Sequence, residues 1–167
     1  MYFVTFRLAD SLPVPKLRQW VLEREQWLLL HPAPWDDAVH DDYMRRFPAQ
    51  FERWLDEGYG SCVLARSECR EVVAEALQHG HGGDYCLDQW VVLPNHVHVL
   101  VTPIQRSLSA IIQRWKSFSA LRINRSLGRR GALWQKESFD HIVRNGERLE
   151  RFRRYIENNP RRVGLSA

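Results

Sequence analysis

The stretch Val91-Val92-Leu93-Pro94-Asn95-His96-Val97-His98-Val99-Leu100-Val101 constrains this chain more than any other. Two β-branched apolar runs flank a Pro-Asn pair, which reads as a hairpin of two strands, Tyr85 to Leu93 and His96 to Thr102. Residues 2–8 read as an earlier strand, ended by Ala9 to Pro13. Helical spacing runs from Val63 to Leu77 and again from Leu108 to about Asn124, where Ile111, Ile112 and Trp115 share the apolar side. Leu133 to Val143 reads as extended. Asn145 caps a last helix with Glu147 in its first turn, Leu149, Phe152 and Ile156 as its buried stripe, and Pro160 as its stop. The order strand, helix, strand, strand, helix, strand matches an α+β fold, a ferredoxin-like split β-α-β antiparallel sheet with helices on one face and a further C-terminal helix laid against it.

Residues 14–58 interrupt that order. Leu17, Trp20, Val21, Trp27 and Leu28 recur at helical spacing, His31 to Pro34 breaks the pattern, and two shorter helices are expected around Pro48. The segment reads as a helical insertion packed on the main domain, not as an active-site element. A length of 167 residues fits one domain containing it.

No apolar stretch approaches the roughly 20 residues that span a bilayer, and the N-terminus lacks the pattern of a secretory signal. Cys62, Cys69 and Cys86 show no CxxC spacing, which argues against a disulfide framework or zinc ribbon and for buried thiols in a reducing cytoplasm. The net charge of +4 hides an asymmetry. Residues 1–102 hold nine Lys/Arg and fifteen Asp/Glu, whereas residues 103–167 hold fifteen and five, a balance of −6 against +10. Such a basic segment suits a polyanion such as nucleic acid, or is a solvated Arg-rich surface.

His96 and His98 lie two apart in a strand and so point to the same side. They could converge on one divalent cation, or be two satisfied histidines. His79 and His81 share the spacing but lie among glycines. Tyr155 and Asn159, four apart on the last helix, share a face flanking its buried stripe. A tyrosine can be a covalent nucleophile toward a phosphodiester when a metal or Arg neutralises the anionic transition state. It can equally pack its ring against the sheet.

Taken together, the His-hydrophobic-His strand and the later tyrosine helix resemble the HUH single-strand endonucleases. More narrowly they resemble the single-tyrosine transposases of bacterial insertion sequences and the REP-associated tyrosine transposases. The similarity rests on Tyr2 to Arg7, Leu93 to His98, Leu133-Trp134-Gln135, Asp140 to Arg144 and Tyr155 to Pro160, in that order. It implies a metal-dependent DNA endonuclease and strand transferase with Tyr155 as nucleophile, forming a 5′-phosphotyrosyl link. His96, His98 and Asn159 would hold Mg²⁺ or Mn²⁺, although two imidazoles also accept zinc. The implied partner is single-stranded or hairpin DNA, and the implied state a monomer or homodimer. Arg114, Lys116, Arg122, Arg125, Arg129, Arg130, Arg144, Arg148, Arg151, Arg153 and Arg154 then become phosphate contacts, with Arg161 and Arg162 beyond them. Trp134 could stack a base, whereas Trp115 fits a core. His141 is a rival ligand better suited to a structural or DNA-contacting role, and Glu157 points away. Two other readings are a non-catalytic nucleic-acid module, which would expose aromatics on its central strands, and a relaxase or replication initiator, usually a longer chain.

Overall fold

The structure is a computed structural model that describes residues 1–162, with side chains as far as Asn159. Its sheet contains β1 (Tyr2–Arg7), β2 (Tyr85–Val92), β3 (His96–Pro103) and β4 (Phe139–Ile142) in the order β2-β3-β1-β4. Every neighbouring pair is antiparallel. The helices are α1 (Val14–Leu30), α2 (Asp37–Arg46), α3 (Pro48–Asp56), α4 (Ser67–Gln78), α5 (Leu108–Ser126) and α6 (Gly146–Arg162). This is the expected ferredoxin-like arrangement. Among the described residues no helix is long and apolar enough to cross a membrane.

Strand alternation divides the sheet into two unlike faces. Val4, Phe6, Val97, Val99 and Val101 face α4 and α5 and join Val73, Leu77, Ile111 and Trp115 in the main core. Tyr85 donates its hydroxyl hydrogen to the Leu77 carbonyl at 2.6 Å and accepts from the Trp115 indole at 2.8 Å, which ties both helices to β2. The other face presents Phe3, Thr5 and Arg7 from β1 and His96, His98 and Leu100 from β3. It is covered by α6, whose Ile156 packs on Phe3 and Leu100.

Several expectations are corrected. The helix expected from Val63 is a 3-10 turn, Val63–Ala65, separated from α4 by extended Arg66; Cys62, at φ 46°, lies outside it. Of the three thiols only Cys69 is buried, and Cys86 is exposed. The extended stretch from Leu133 narrows to β4. Trp134 is a core residue, its indole donating to Ser119 Oγ at 2.9 Å, so it is not a base-stacking platform. Asn145 does cap α6, accepting from the Arg148 amide at 2.9 Å. The helix then runs through Pro160 to Arg162 and does not stop at the proline. The side chains of Arg161 and Arg162 lie outside the described residues.

The insertion folds as its periodicity predicts, with α1, α2 and α3 around an aromatic cluster of Trp20, Trp27, Trp35, Tyr43 and Phe47. Its placement is the main departure from expectation: α3 lies over the face of the sheet that carries the histidines.

Candidate active site

His96 and His98 are fully buried, with their Nε2 atoms 3.1 Å apart. Their other ring nitrogens are pinned. The Asn95 amide group donates to the carbonyls of Leu55 at 3.1 Å and Tyr59 at 3.2 Å, which turns its Oδ1 toward His96 Nδ1, 2.7 Å away. His96 must therefore carry its proton on Nδ1. Thr5 donates to Glu52 Oε1 at 3.2 Å while that carboxylate is ionised, so its oxygen accepts from His98 Nδ1 at 2.8 Å. Both Nε2 atoms then present lone pairs to one another. Two lone pairs at this distance repel, and a cation between them relieves the repulsion. Burial supports the neutral rings, pushing His96 down to about 3 and His98 well below the usual histidine range, with His96 adding to the latter shift.

Glu52 of α3 completes the group. Its Oε2 lies 3.3 Å from His98 Nε2 and accepts from the Tyr155 hydroxyl at 3.0 Å. Glu52, His96 and His98 each offer a ligand atom within 4.8 Å of the others. Two neutral imidazoles and a carboxylate, each held by a further hydrogen bond, fit a divalent cation in charge and chemistry. Asp56, one turn later, brings Oδ1 to 3.9 Å from His96 Nε2. Burial is the main cause that raises the Glu52 carboxyl to about 7, and Asp56 adds to it; the hydrogen bonds from Tyr155 and Thr5 oppose it.

The expectation that residues 14–58 hold no active-site element is thus corrected, since Glu52 and Asp56 belong to that segment. The signal for Glu52 and Asp56 was an i, i+4 carboxylate pair on a helix whose Leu55 is buried, but nothing in the local pattern says which face of the sheet that helix meets.

Tyr155 sits edge-on to the His98 ring, centroids 5.2 Å apart, and to Phe3 at 6.0 Å. Burial raises its phenol well above the usual range, with Glu52 and Asp56 adding to it and the neighbouring Asn159 amide opposing. Asn159 lies deeper than a flanking position. It is 0% exposed, and among the described residues neither its amide nitrogen nor its oxygen has a hydrogen-bond partner of good geometry. A buried carboxamide one turn from Tyr155 has an oxygen of the kind that can join a ligand set.

The predicted basic residues divide into two groups. Arg114 shares Asp84 with Arg106, Arg122 pairs with Glu75, and Lys116 donates to the carbonyls of Gln135, Lys136 and Glu137. Arg153 grips Asp88 of β2 with two hydrogen bonds and pairs with Glu150, fastening α6 to the sheet. Arg125, Arg130 and Arg144 are exposed, and Arg129 reaches Ser61 Oγ at 3.4 Å. Arg148, Arg151 and Arg154 of α6 form no ion pair among the described residues; Arg148 and Arg151 line the cleft that holds Tyr155, and Arg154 joins them in a second cleft with Asp37, Asp41 and Glu147. His141 also lines that cleft and is not in the Glu52–His96–His98 cluster; Glu157 is exposed.

The four-stranded antiparallel sheet thus carries a buried His-x-His pair on the face that meets the tyrosine of α6. A family model described as IS200-like transposases matches residues 64–159, and the chain belongs to that family. No curated protein matches the chain. A REP-associated tyrosine transposase bound to a REP hairpin shares the fold at 16% identity and a TM-score of 0.51, over 99% of this chain and 68% of that one. A candidate transposase from Deinococcus radiodurans aligns over 95% of this chain and 88% of its own, at 16% identity and a TM-score of 0.42.

Two predictions arise from this geometry. Asn95→Ala removes the group that fixes the His96 tautomer and is expected to weaken Mn²⁺ binding about 10–100-fold. Titration calorimetry giving unchanged affinity would show that Asn95 serves only the turn. The second concerns pH. Both histidines stay neutral near neutrality, so of the three cluster residues it is Glu52 for which a proton and the cation compete. With its carboxyl at about 7, Mn²⁺ affinity should drop about tenfold from pH 8 to pH 6. Glu52→Gln should bind more weakly and flatten that dependence, and a wild type as flat as the variant would contradict the assignment.

Proposed function

We propose that this transposase cuts and rejoins single-stranded DNA beside hairpins, with Tyr155 as nucleophile and His96, His98 and Glu52 holding Mg²⁺ or Mn²⁺. Asn159 joins them as the ligand suggested by its buried, unsatisfied carboxamide. One observation carries the reading: Glu52 Oε2 stands 3.0 Å from the Tyr155 hydroxyl and 3.3 Å from His98 Nε2, so nucleophile and ligand group form one site.

A bound divalent cation supplies charge neutralisation at the phosphate and favours departure of the leaving oxygen. The chain's own residues do the rest. Tyr155 Oη attacks phosphorus and the bond to the 3′-oxygen breaks, leaving a 5′-phosphotyrosyl link and a 3′-hydroxyl. The phenol proton passes to Glu52 Oε2, its hydrogen-bond acceptor, and from there to the departing 3′-oxygen, so that Glu52 ends ionised again. His98 packs edge-on against the phenol and holds it. Arg148, Arg151 and Arg154 lead the strand to it by phosphate contacts. The hairpin-bound structural neighbour supports a hairpin as the partner.

The test uses a DNA hairpin with single-stranded flanks and a 3′-terminal fluorophore, incubated with the protein and Mn²⁺. The label should migrate with the protein in denaturing gels and map to the Tyr155 peptide. Label found only in free DNA fragments would refute covalent cutting.

A further inference from the structure

Between the insertion and the nucleophile helix lies a cavity of about 550 Å³, within the roughly 300–1,000 Å³ range of small-ligand sites. Helices α2 and α3 form one wall and β4 and α6 the other, with Tyr155 and Glu52 lining it. Metal binding and tyrosine chemistry do not use its remaining surface. Phe3, Met44, Phe139 and Phe152 make much of that surface aromatic and apolar, while Arg45, Arg148 and Arg151 bring cations to it and Asp41 one further acid. Phe139 is 37% exposed, an unusual state for a strand phenylalanine with aromatic neighbours on its own side of the sheet. Phe3 and Phe152 stack at 4.4 Å and 13°, leaving a rigid aromatic wall.

We propose that this cavity receives one unstacked nucleobase of the strand being cut, the base joined to the phosphate that meets Tyr155. The proposal rests on the reading that a single DNA strand reaches Tyr155. A nucleoside is attached directly to its phosphate, so any strand presented to this hydroxyl brings a neighbouring base to the cavity that the hydroxyl lines. Aromatic walls with flanking cations suit a flat π-face carried on an anionic backbone. An apolar peptide or lipid chain would leave three arginines of the lining, Arg45, Arg148 and Arg151, facing it with only Asp41 and Glu52 to offset them. The insertion thereby acquires a second role: Met44 and Ala49 shape which base fits.

The probe is a single-stranded 20-mer in which every base is 5-iodouracil, bound to the whole protein in EDTA, so that no cutting is required. Photo-crosslinks mapped by mass spectrometry should fall on Phe139, Phe152 or Met44. Ala49→Leu, at an exposed position lining the cavity, fills it without touching the core. It should reduce those crosslinks at least about fivefold and weaken binding, read by anisotropy, about tenfold. Phe139→Leu should act likewise, and a circular dichroism spectrum matching the parent's confirms that either variant is folded. Crosslinks only outside the cavity, or cavity crosslinks untouched by Ala49→Leu, would overturn the proposal. Cavity crosslinks without a tyrosyl adduct in the Mn²⁺ assay would refute the cutting reaction and leave the base site standing. An adduct without cavity crosslinks would refute the base site alone.

Discussion

Tyr155→Phe is expected to eliminate the covalent DNA adduct and lower nicking by at least about 10³-fold, the scale of losing a nucleophile. Phenylalanine keeps the ring that packs edge-on to His98 and Phe3 and loses only the hydroxyl. The helix should stay docked, since Ile156 and the Arg153 clamp on Asp88 are untouched. Losing the hydrogen bond to Glu52 should alter stability by only about 1 kcal/mol. Binding of hairpin DNA should remain within about twofold. Phosphodiester cutting by the phenylalanine variant at a rate near the parent's would remove Tyr155 from the mechanism.

His98→Ala should have the second large effect, a loss of more than about 100-fold in Mn²⁺ affinity together with loss of nicking. His98 stands between Thr5, Glu52, His96 and Tyr155, so its removal takes away one ligand and the Nδ1–H donor that turns the Thr5 hydroxyl toward Glu52. Thermal unfolding gives a readout separate from catalysis. Mn²⁺ at 100 times its dissociation constant should stabilise the parent by about 2.7 kcal/mol, and the same concentration should leave the variant unmoved. An equal rise in melting temperature for both proteins would place the cation elsewhere.

The hairpin at Pro94-Asn95, the first strand and the two core helices were legible because period-2 and period-3.6 patterns are local properties. The His pair and the tyrosine helix were legible for the same reason, helped by the ordered resemblance of short motifs. Glu52 was not. Its helix could be read from the sequence, but the docking of α3 on the histidine face depends on contacts such as Asn95 to Leu55, which local periodicity does not encode. The basic residues show a similar limit. Composition marked the C-terminal part as cationic without revealing that Asp84, Glu75 and Asp88 from the acidic part neutralise Arg114, Arg122 and Arg153.

The distances in sequence across the site carry one more consequence. Thr5 meets His98 across 93 residues, and Tyr155 meets Glu52 across 103. Contacts of such separation bring together chain segments at a high loop-closure cost and tend to form late in folding. The sheet itself spans as much chain, with Thr5 opposite His98 and Tyr2 opposite Ile142, so strand pairing and assembly of the histidine site meet the same loop-closure cost and should form or open together.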